Sequence, residues 1–299
     1  MAQQYTVTQN TTLLPFLFET LSRKEGWSKK TVKQRLQSGA ISVNAQIQTK
    51  HNYTLHAGDT LSIGTAQRAD HHPHAQQPKL EIIYQDKDLI AINKPAGLLS
   101  VGTHKENKNH ALALLRTQLS RGKTRGENSV RLWPVHRLDR DTSGILLFAT
   151  SKEIREAVME RWATTEKHYL AVVEGKPLVA SDTITQPLRL DEEEYRMHVG
   201  AHRDAKPAIT HYKCLESPET RSLLEVRIET GRQHQIRAHL AWMGHAVVGD
   251  ERYGKKPFSR RDGRMGLHAT RLHFVHPITK QAIDLNVDAP ADFYRLIRF

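Results

Sequence analysis

The stretch that decides the fold of this sequence is Val135-His136-Arg137-Leu138-Asp139-Arg140-Asp141-Thr142-Ser143-Gly144, followed directly by Ile145-Leu146-Leu147-Phe148-Ala149. Five apolar residues in a row, between a glycine and a polar turn, predict a buried strand. The polar residues before them then form a loop at a strand end, where a rigid sheet commonly holds catalytic groups. By charge pattern alone, two carboxylates and two arginines in such a loop fit a structural ion-pair loop better than a catalytic one.

Composition and charge narrow the class of protein. The 299 residues suffice for one large domain or two, and 44 lysines and arginines against 32 acidic residues give a net charge of +12. An excess of that size favours a polyanionic partner, most commonly nucleic acid. No apolar run approaches the length of a membrane span, so we expect no membrane partner. The single cysteine, Cys214, excludes an internal disulfide and indicates a cytoplasmic protein.

Residues 1–63 are predicted to form a small α/β module. Helices are expected at Thr12–Lys24 and Lys29–Gln37, and short strands at Ile41–Val43 and Leu61–Ile63. The candidate RNA-binding residues of this module are the basic side chains Arg23, Lys29, Lys30, Lys33 and Arg35. Such side chains can contact phosphates without reading sequence. A solvated basic helix face explains the same pattern equally well.

Residues 64–79 are predicted to be a flexible linker, because they show no periodicity and few apolar groups. Three histidines in this segment suggest a metal site, but no cysteine or carboxylate cluster completes one. A polar tether is therefore the better interpretation. We expect no metal site elsewhere, because the remaining histidines show no zinc-ligand spacing.

Residues 80–299 are predicted to form the second domain. Its later part contains a strand around Tyr169 and, after Gly231, a helix with Ile236 and Leu240 facing the core. Arg237 lies one step off that apolar face, where it could reach inward to a carboxylate. The acidic run Asp191–Glu194 is predicted to be a solvated loop facing away from bound nucleic acid.

Several motifs of this second domain resemble those of the RluA-type pseudouridine synthases, and they occur in the same order. His136-Arg137-Leu138-Asp139 with Thr142-Ser143-Gly144 resembles the signature loop of that family. Lys94-Pro95-Ala96-Gly97 resembles its first motif, whose role is mainly structural, and the stretch from Thr230 to Leu240 resembles its third. Residues 12–63 resemble, more loosely, the alpha-L RNA-binding module of a ribosomal protein.

The resemblance implies an α+β fold with a mixed, mainly antiparallel sheet. It also implies an isomerase that converts uridine to pseudouridine in structured RNA. Asp139 would be the catalytic residue, Arg237 would pair with it, and Tyr169 would line the active site. Arg137 would fill the gap left when the target base flips out. We expect no cofactor, RNA as the partner, and a monomer. The N-terminal module favours large-subunit ribosomal RNA as the substrate, and transfer RNA remains the alternative.

Two other classes of function are consistent with parts of the sequence. A non-catalytic RNA-binding or ribosome-assembly factor would explain the charge and the N-terminal module, but it would not require the Asp139 and Arg237 pair. A glycoside or nucleoside hydrolase normally needs two carboxylates flanking the bond. Asp141 would have to be the second carboxylate. It lies two residues from Asp139, an improbable spacing for two carboxylates on opposite faces of a sugar.

Overall fold

The computed structural model describes residues 3–24, 26–37, 39–64, 79–103, 106–120, 130–254 and 263–298. The chain divides into two compact units, Met1–Pro78 and Lys79–Phe299. The predicted linker falls almost wholly outside the described residues. No helix among the described residues is both long and apolar enough to cross a membrane.

The first unit combines two helices with short strands. Helix α1 begins at Leu13, one residue later than predicted, and contains Pro15 in its first turn, where a missing N–H costs nothing. Leu17 and Leu21 of α1 pack against Val32 and Leu36 of α2 over the strands. The elements are β1 (Gln3–Thr6), β2 (Thr11–Thr12), α1 (Leu13–Lys24), α2 (Lys29–Gln37), β3 (Ile41–Val43), β4 (Gln46–Ile47), β5 (Thr54–Leu55) and β6 (Thr60–Ile63).

The second unit is built on one large sheet. Its first elements are β7 (Glu81–Gln85), β8 (Leu89–Lys94), α3 (Ala111–Leu119), β9 (Trp133–Pro134), β10 (Ser143–Ala149), α4 (Lys152–Met159), β11 (Glu166–Glu174) and β12 (Ser181–Ile184). They are followed by β13 (Leu188–Asp191), β14 (Arg196–Val199), β15 (Thr210–Glu216), β16 (Arg221–Ile228), α5 (Gln235–Trp242), β17 (Leu267–Val275), β18 (Ala282–Asn286) and α6 (Ala291–Arg295). Short 3₁₀ segments occupy Trp162–Thr164 and Leu296–Arg298.

The sheet has the spatial order β12-β15-β16-β11-β17-β10-β8-β7, with β18 beside β17 and β9 beside β10. Its strand pairs are antiparallel except that β10 runs parallel to β17. The α+β fold with a mixed, mainly antiparallel sheet is therefore confirmed. Strands β13 and β14 form a separate antiparallel hairpin.

Strand β10 is buried on both faces, which explains its uninterrupted apolar run. Leu146 and Phe148 join the core on one side of the sheet, whereas Ile145 and Leu147 join the core on the other. Because both faces are covered, the sequence shows no alternation of apolar and polar residues.

Gly144 is required where the loop enters β10. Its φ is +109°, and a Cβ at this position would lie 2.1 Å from the backbone oxygen of Ala269 in the parallel strand. A side chain would therefore separate β10 from β17 at the point where the polar loop meets the strand, and only glycine allows the two strands to meet.

One helix start differs from the simplest sequence interpretation. The stretch from Thr150 to Glu153 has the spacing of a capping box with Thr150 as N-cap. In the structure the N-cap of α4 is Ser151, which accepts a hydrogen bond from the Ile154 N–H. Thr150 instead donates through its hydroxyl to the carbonyl oxygens of Lys87 and Asp88. The competing backbone acceptors thus move the cap by one residue.

Candidate active site

The loop between β9 and β10 is held by hydrogen bonds on both sides of Asp139. The Ser100 hydroxyl donates to the Leu138 carbonyl at 2.7 Å and accepts from the Leu138 N–H at 3.0 Å. The Thr142 N–H donates to the Asp139 carbonyl at 3.2 Å. These bonds fix the loop backbone while leaving the Asp139 side chain half-buried at the edge of a cleft.

Helix α5 places Arg237 against Asp139. The Arg237 Nη1 donates to Asp139 Oδ2 at 2.8 Å, and its Nε and Nη2 donate to Asp250 Oδ2 and Oδ1 at 2.6 and 2.9 Å. Burial alone would lower the pKa of Arg237, but its hydrogen bonds and charge contacts with Asp250, and then with Asp139, raise it above its usual value. The guanidinium is therefore a fixed cation shared by two carboxylates.

Asp250 is a buried anchor for this arrangement. Its side chain is fully shielded from solvent and also accepts hydrogen bonds from the backbone N–H groups of Arg252 and Tyr253. Burial acts to raise the pKa of Asp250, but Arg237 and the two N–H donors lower it below its usual value. All its partners donate to the ionised form, so Asp250 serves to hold the arginine.

Tyr169 lies beside this pair, in the middle of the sheet. It is 9% exposed and sits on β11 opposite Ala269 of β17, where the register of the two strands shifts. Burial and the charge of Asp139 raise the pKa of its hydroxyl, which therefore stays protonated at neutral pH. Tyr169, Asp139 and Arg237 together line a small cavity of about 70 Å³.

A larger cleft of about 880 Å³ opens over the loop. Arg137 is exposed and lines both this cleft and the small cavity. Glu194 also lines the cleft. Its position does not support the prediction that the acidic run Asp191–Glu194 faces away from bound nucleic acid. Arginines contribute much of the remaining lining, which gives the cleft a basic wall: Arg140, Arg196, Arg237 and Arg252.

Lys94 supports the loop from beneath. It is fully buried, and its Nζ donates to the carbonyl oxygens of Pro95, Leu98 and Arg140 at 2.9, 2.7 and 3.0 Å. Burial lowers the pKa of Lys94 to about 7, whereas the charges of Asp141 and Asp139 act in the opposite direction. The three bonds tie β8 and its turn to the residue that follows Asp139.

Among the described residues, one group of side chains lies close enough to hold a metal ion: Asp86, Asp88 and His276. The Nδ1 of His276 accepts from the N–H groups of Ile278 and Thr279, so the neutral ring carries its proton on Nε2. That Nε2 lies 3.1 Å from Asp86 Oδ2 but makes no hydrogen bond within the described residues. A metal ligand at Nε2 would need the opposite tautomer, so the hydrogen bonds at Nδ1 argue against a metal ion at this cluster.

The predicted RNA-binding residues of the first unit differ in exposure. Lys29, Lys30 and Lys33 are exposed on α2. Arg35 is half-buried, with its guanidinium 4.4 Å from the Trp27 ring centroid and a hydrogen bond to the Gly64 carbonyl. The side chain of Arg23 lies outside the described residues.

Sequence reasoning placed Asp139, Tyr169 and Arg237 at one site, and the structure brings them together. It gave no role to Asp250 or His234, and it treated Lys94 only as part of a structural turn. A carboxylate in the glycine-flanked turn at 249–254 was the one local signal for Asp250. Its pairing with Arg237 follows from tertiary packing alone.

Comparisons with known proteins identify a consistent set of relatives. The family model described as RNA pseudouridylate synthase matches residues 88–242. The uncharacterized RNA pseudouridine synthase YlyB of Bacillus subtilis is 33% identical over 284 residues, covering 92% of this chain and 90% of the relative. Ribosomal large subunit pseudouridine synthase D of Salmonella typhimurium is 30% identical, covering 91% and 86%.

Solved structures share the fold. Human RNA pseudouridylate synthase domain containing 4 superposes with a TM-score of 0.60 at 24% identity, covering 73% of this chain and 93% of that one. Human RNA pseudouridylate synthase domain containing 1 gives a TM-score of 0.58 at 25% identity, covering 72% and 85%.

Proposed function

Because this chain belongs to the RluA-type family of RNA pseudouridine synthases, we propose that Asp139, Arg237 and Tyr169 catalyse its isomerisation of uridine in large-subunit ribosomal RNA. The observation that carries the assignment of residues is the 2.8 Å contact between Arg237 Nη1 and Asp139 Oδ2, at the junction of the cleft and the cavity beside Tyr169.

The reaction requires one carboxylate at the sugar and no change of oxidation state. The bond between uracil N1 and ribose C1′ breaks, the base turns, and a bond forms between C5 and C1′. The proton that leaves C5 is balanced by the proton that N1 gains. Asp139 acts at the sugar through Oδ1, because Arg237 occupies Oδ2 and holds the carboxylate in place.

Tyr169 would contact the flipped uracil base, and Arg137 would occupy the space that it leaves. A uridine in folded RNA must leave its stack to reach Asp139, at a cost of a few kcal/mol. The ring of Tyr169 offers a wall against which the extruded uracil can stack, and its protonated hydroxyl can donate to it. Arg137 is exposed at the cleft, where it can occupy the space the base leaves.

Large-subunit ribosomal RNA is the favoured substrate for two reasons. Relatives about 30% identical over most of the chain are named ribosomal large subunit pseudouridine synthase D. The exposed lysines of α2 also add a sequence-independent phosphate-binding surface suited to a large folded RNA. Transfer RNA is the alternative substrate of the same chemistry. We further propose that the enzyme works as a monomer in the cytoplasm.

The deciding experiment is a transcriptome-wide map of pseudouridine in cells that lack this gene, rescued with wild type or with Asp139→Asn. We expect discrete sites in large-subunit ribosomal RNA to disappear and to return with wild type only. Loss of pseudouridine from transfer RNA alone would identify transfer RNA as the substrate and leave the proposed chemistry unchanged. Equal rescue by the variant would remove Asp139 from its catalytic role.

Two controls separate this function from the other classes. Purified Asp139→Asn should bind RNA about as tightly as wild type while losing turnover, because the substitution preserves shape and removes charge. Free uracil should not accumulate during turnover. Release of uracil would indicate a hydrolase, and an unchanged pseudouridine map would indicate a binding factor.

A further inference from the structure

His234 has a constrained position between the catalytic loop and α5. It is the N-cap of α5 and adopts a left-handed backbone conformation, with φ +50° and ψ +18°. Residues other than glycine seldom adopt this conformation, and those that do are concentrated at functional sites. The His234 side chain lines both the large cleft and the small cavity beside Tyr169.

The hydrogen bonds around His234 determine its tautomer. The Tyr253 hydroxyl oxygen accepts from the Met197 N–H at 2.8 Å and lies 3.1 Å from His234 Nδ1. All of these groups are satisfied when the hydroxyl donates its own proton to Nδ1. The neutral imidazole then carries its proton on Nε2.

That Nε2–H faces the reacting side of Asp139. His234 Nε2 lies 3.8 Å from Asp139 Oδ1, whereas Arg237 holds Oδ2. The separation is about 1 Å longer than a hydrogen bond, and contacts of this kind often tighten only when substrate binds. A carboxylate oxygen has two lone pairs, so Oδ1 can accept from His234 and still react.

We propose that His234 is a positioning residue of the active site, whose neutral Nε2–H donates to Asp139 Oδ1 in the RNA complex and fixes the plane of the carboxylate. Arg237 and His234 then hold one oxygen each. Tyr253 maintains the required tautomer and connects it to the β13–β14 hairpin through Met197. This inference rests on the proposed catalytic role of Asp139.

The charges around His234 keep it neutral. Burial lowers its pKa, the charge of Asp139 acts against that effect, and Arg237 and Arg252 lower the pKa further, with Asp250 opposing them. Protonation would add an N–H at Nδ1, the atom that accepts the hydrogen bond from the Tyr253 hydroxyl in the neutral ring. It would also convert the contact with Asp139 into a full ion pair that withdraws Oδ1 from reaction. The rate should therefore fall on the acid side as His234 becomes charged.

Two substitutions form a matched pair for the test. His234→Asn tolerates the left-handed backbone but is too short to reach Asp139. His234→Gln places an uncharged N–H donor near the position of Nε2. The probe is RNA from cells that lack the gene and were grown on [5-³H]uridine, because the isomerisation releases the hydrogen of C5. Single-turnover tritium release by the full chain is measured across pH, together with RNA affinity and melting temperature.

We expect His234→Asn to reduce the single-turnover rate about 10–100-fold, the value of one hydrogen bond to a charged group, with RNA affinity within about twofold. His234→Gln should recover most of that loss, and its acid limb should be flatter than that of wild type. Tyr253→Phe, which removes the tautomer constraint, should lower the rate less than His234→Asn does.

The inference is overturned if folded His234→Asn matches wild type, or if His234→Gln is as slow as His234→Asn and keeps the wild-type acid limb. Asp139→Asn is measured in parallel. If that variant is active, the proposed catalytic role of Asp139 fails; if it is inactive while His234→Asn is normal, only the role of His234 fails.

Discussion

Asp250 binds Arg237 through two hydrogen bonds, of 2.6 and 2.9 Å, and thereby directs the remaining Nη1 at Asp139. The guanidinium is planar, so fixing Nε and Nη2 on one carboxylate also fixes where the third nitrogen points. The position of Asp139 relative to the cleft thus depends on a second carboxylate that does not itself line it.

We therefore expect Asp250→Ala to damage both folding and catalysis. It leaves the buried Arg237 with one partner fewer, which should cost about 3–5 kcal/mol of unfolding free energy. Denaturant unfolding measures this loss, and the single-turnover rate should fall at least tenfold in the protein that remains folded.

The matched control is Asp284→Ala, which breaks the bidentate pair between Arg271 and Asp284 on the surface. Both of those side chains are more than a third exposed, so the variant should cost less than about 1 kcal/mol. Equal losses in the two variants would contradict the importance assigned to burial at Asp250.

Lys94→Met should slow the reaction by disordering the loop. The substitution keeps the volume of the side chain but leaves three partly buried carbonyl oxygens without their donor, at a cost of at most about 1–3 kcal/mol each. Because one of these oxygens belongs to Arg140, we expect a rate at least tenfold lower with RNA affinity nearly retained.

Lys167→Met tests whether that effect is local. Lys167 is also buried, but its Nζ donates to the carbonyl oxygens of Trp162 and Thr165 rather than to the catalytic loop. It should lower the melting temperature without a comparable loss of rate. A similar fall in rate for both variants would mean that general destabilisation explains the result.

Tyr169→Phe should separate stacking from hydrogen bonding. The buried hydroxyl stays protonated and so can donate but not act as a base at neutral pH. We expect Phe to keep RNA affinity and to lose about tenfold in rate, the value of one neutral hydrogen bond. Tyr169→Leu, which removes the ring, should lose considerably more, and single-turnover kinetics of the two would show the ranking.

Replacing Lys29, Lys30 and Lys33 by glutamine should weaken RNA binding mainly at low salt. Each phosphate contact adds about 0.7–0.9 to the slope of log affinity against log salt, so the slope should fall by about 2–3. Arg35→Gln should instead lower the stability of the first unit, because Arg35 stacks on Trp27. An unchanged slope in the triple variant would remove these lysines from RNA binding.

Acid should destabilise the second unit through His268. The ring is fully buried, and burial lowers its pKa to about 4, with the Val287 carbonyl acting in the opposite direction. Between pH 6.5 and 4 the unfolded state binds the proton and the folded state does not. The contribution of His268 to the free energy of unfolding is therefore complete above about pH 6.5. It is lost as the pH falls toward about 4 and changes no further below that.

The loss over this range should reach up to about 3 kcal/mol, and equilibrium unfolding at several pH values measures it. His268→Gln can still donate to Val287 but does not titrate, so its stability should depend less on pH over the same range. A variant with the wild-type pH dependence would exclude His268 as the cause.

Local pattern was enough to predict the strands and helices that hold the site. The apolar run after Gly144 and the periodicity around Ile236 depend on residues near each other in sequence, and both elements were predicted correctly. The position of Arg237 could also be predicted, because a residue one helical step from an apolar face directs a long side chain along the edge of the core.

The contacts that complete the site could not be predicted in this way. Glu194 was expected to face away, but the β13–β14 hairpin folds back over the cleft, where Arg252 donates to the carbonyl oxygens of Glu194 and Tyr195. Met197 likewise donates to Tyr253. These bonds join segments more than 50 residues apart, so no window of sequence contains both partners.

The parallel pairing of β10 with β17 has a consequence during protein synthesis. In the sheet, β17 lies between β11, which carries Tyr169, and β10, which follows the Asp139 loop. Strand β17 is translated about 125 residues after that loop. A nascent chain that has exposed Asp139, Tyr169 and even Arg237 still lacks the strand that spaces them. We therefore expect the site to be assembled only after β17 has been synthesised, long after the exposed lysines of α2.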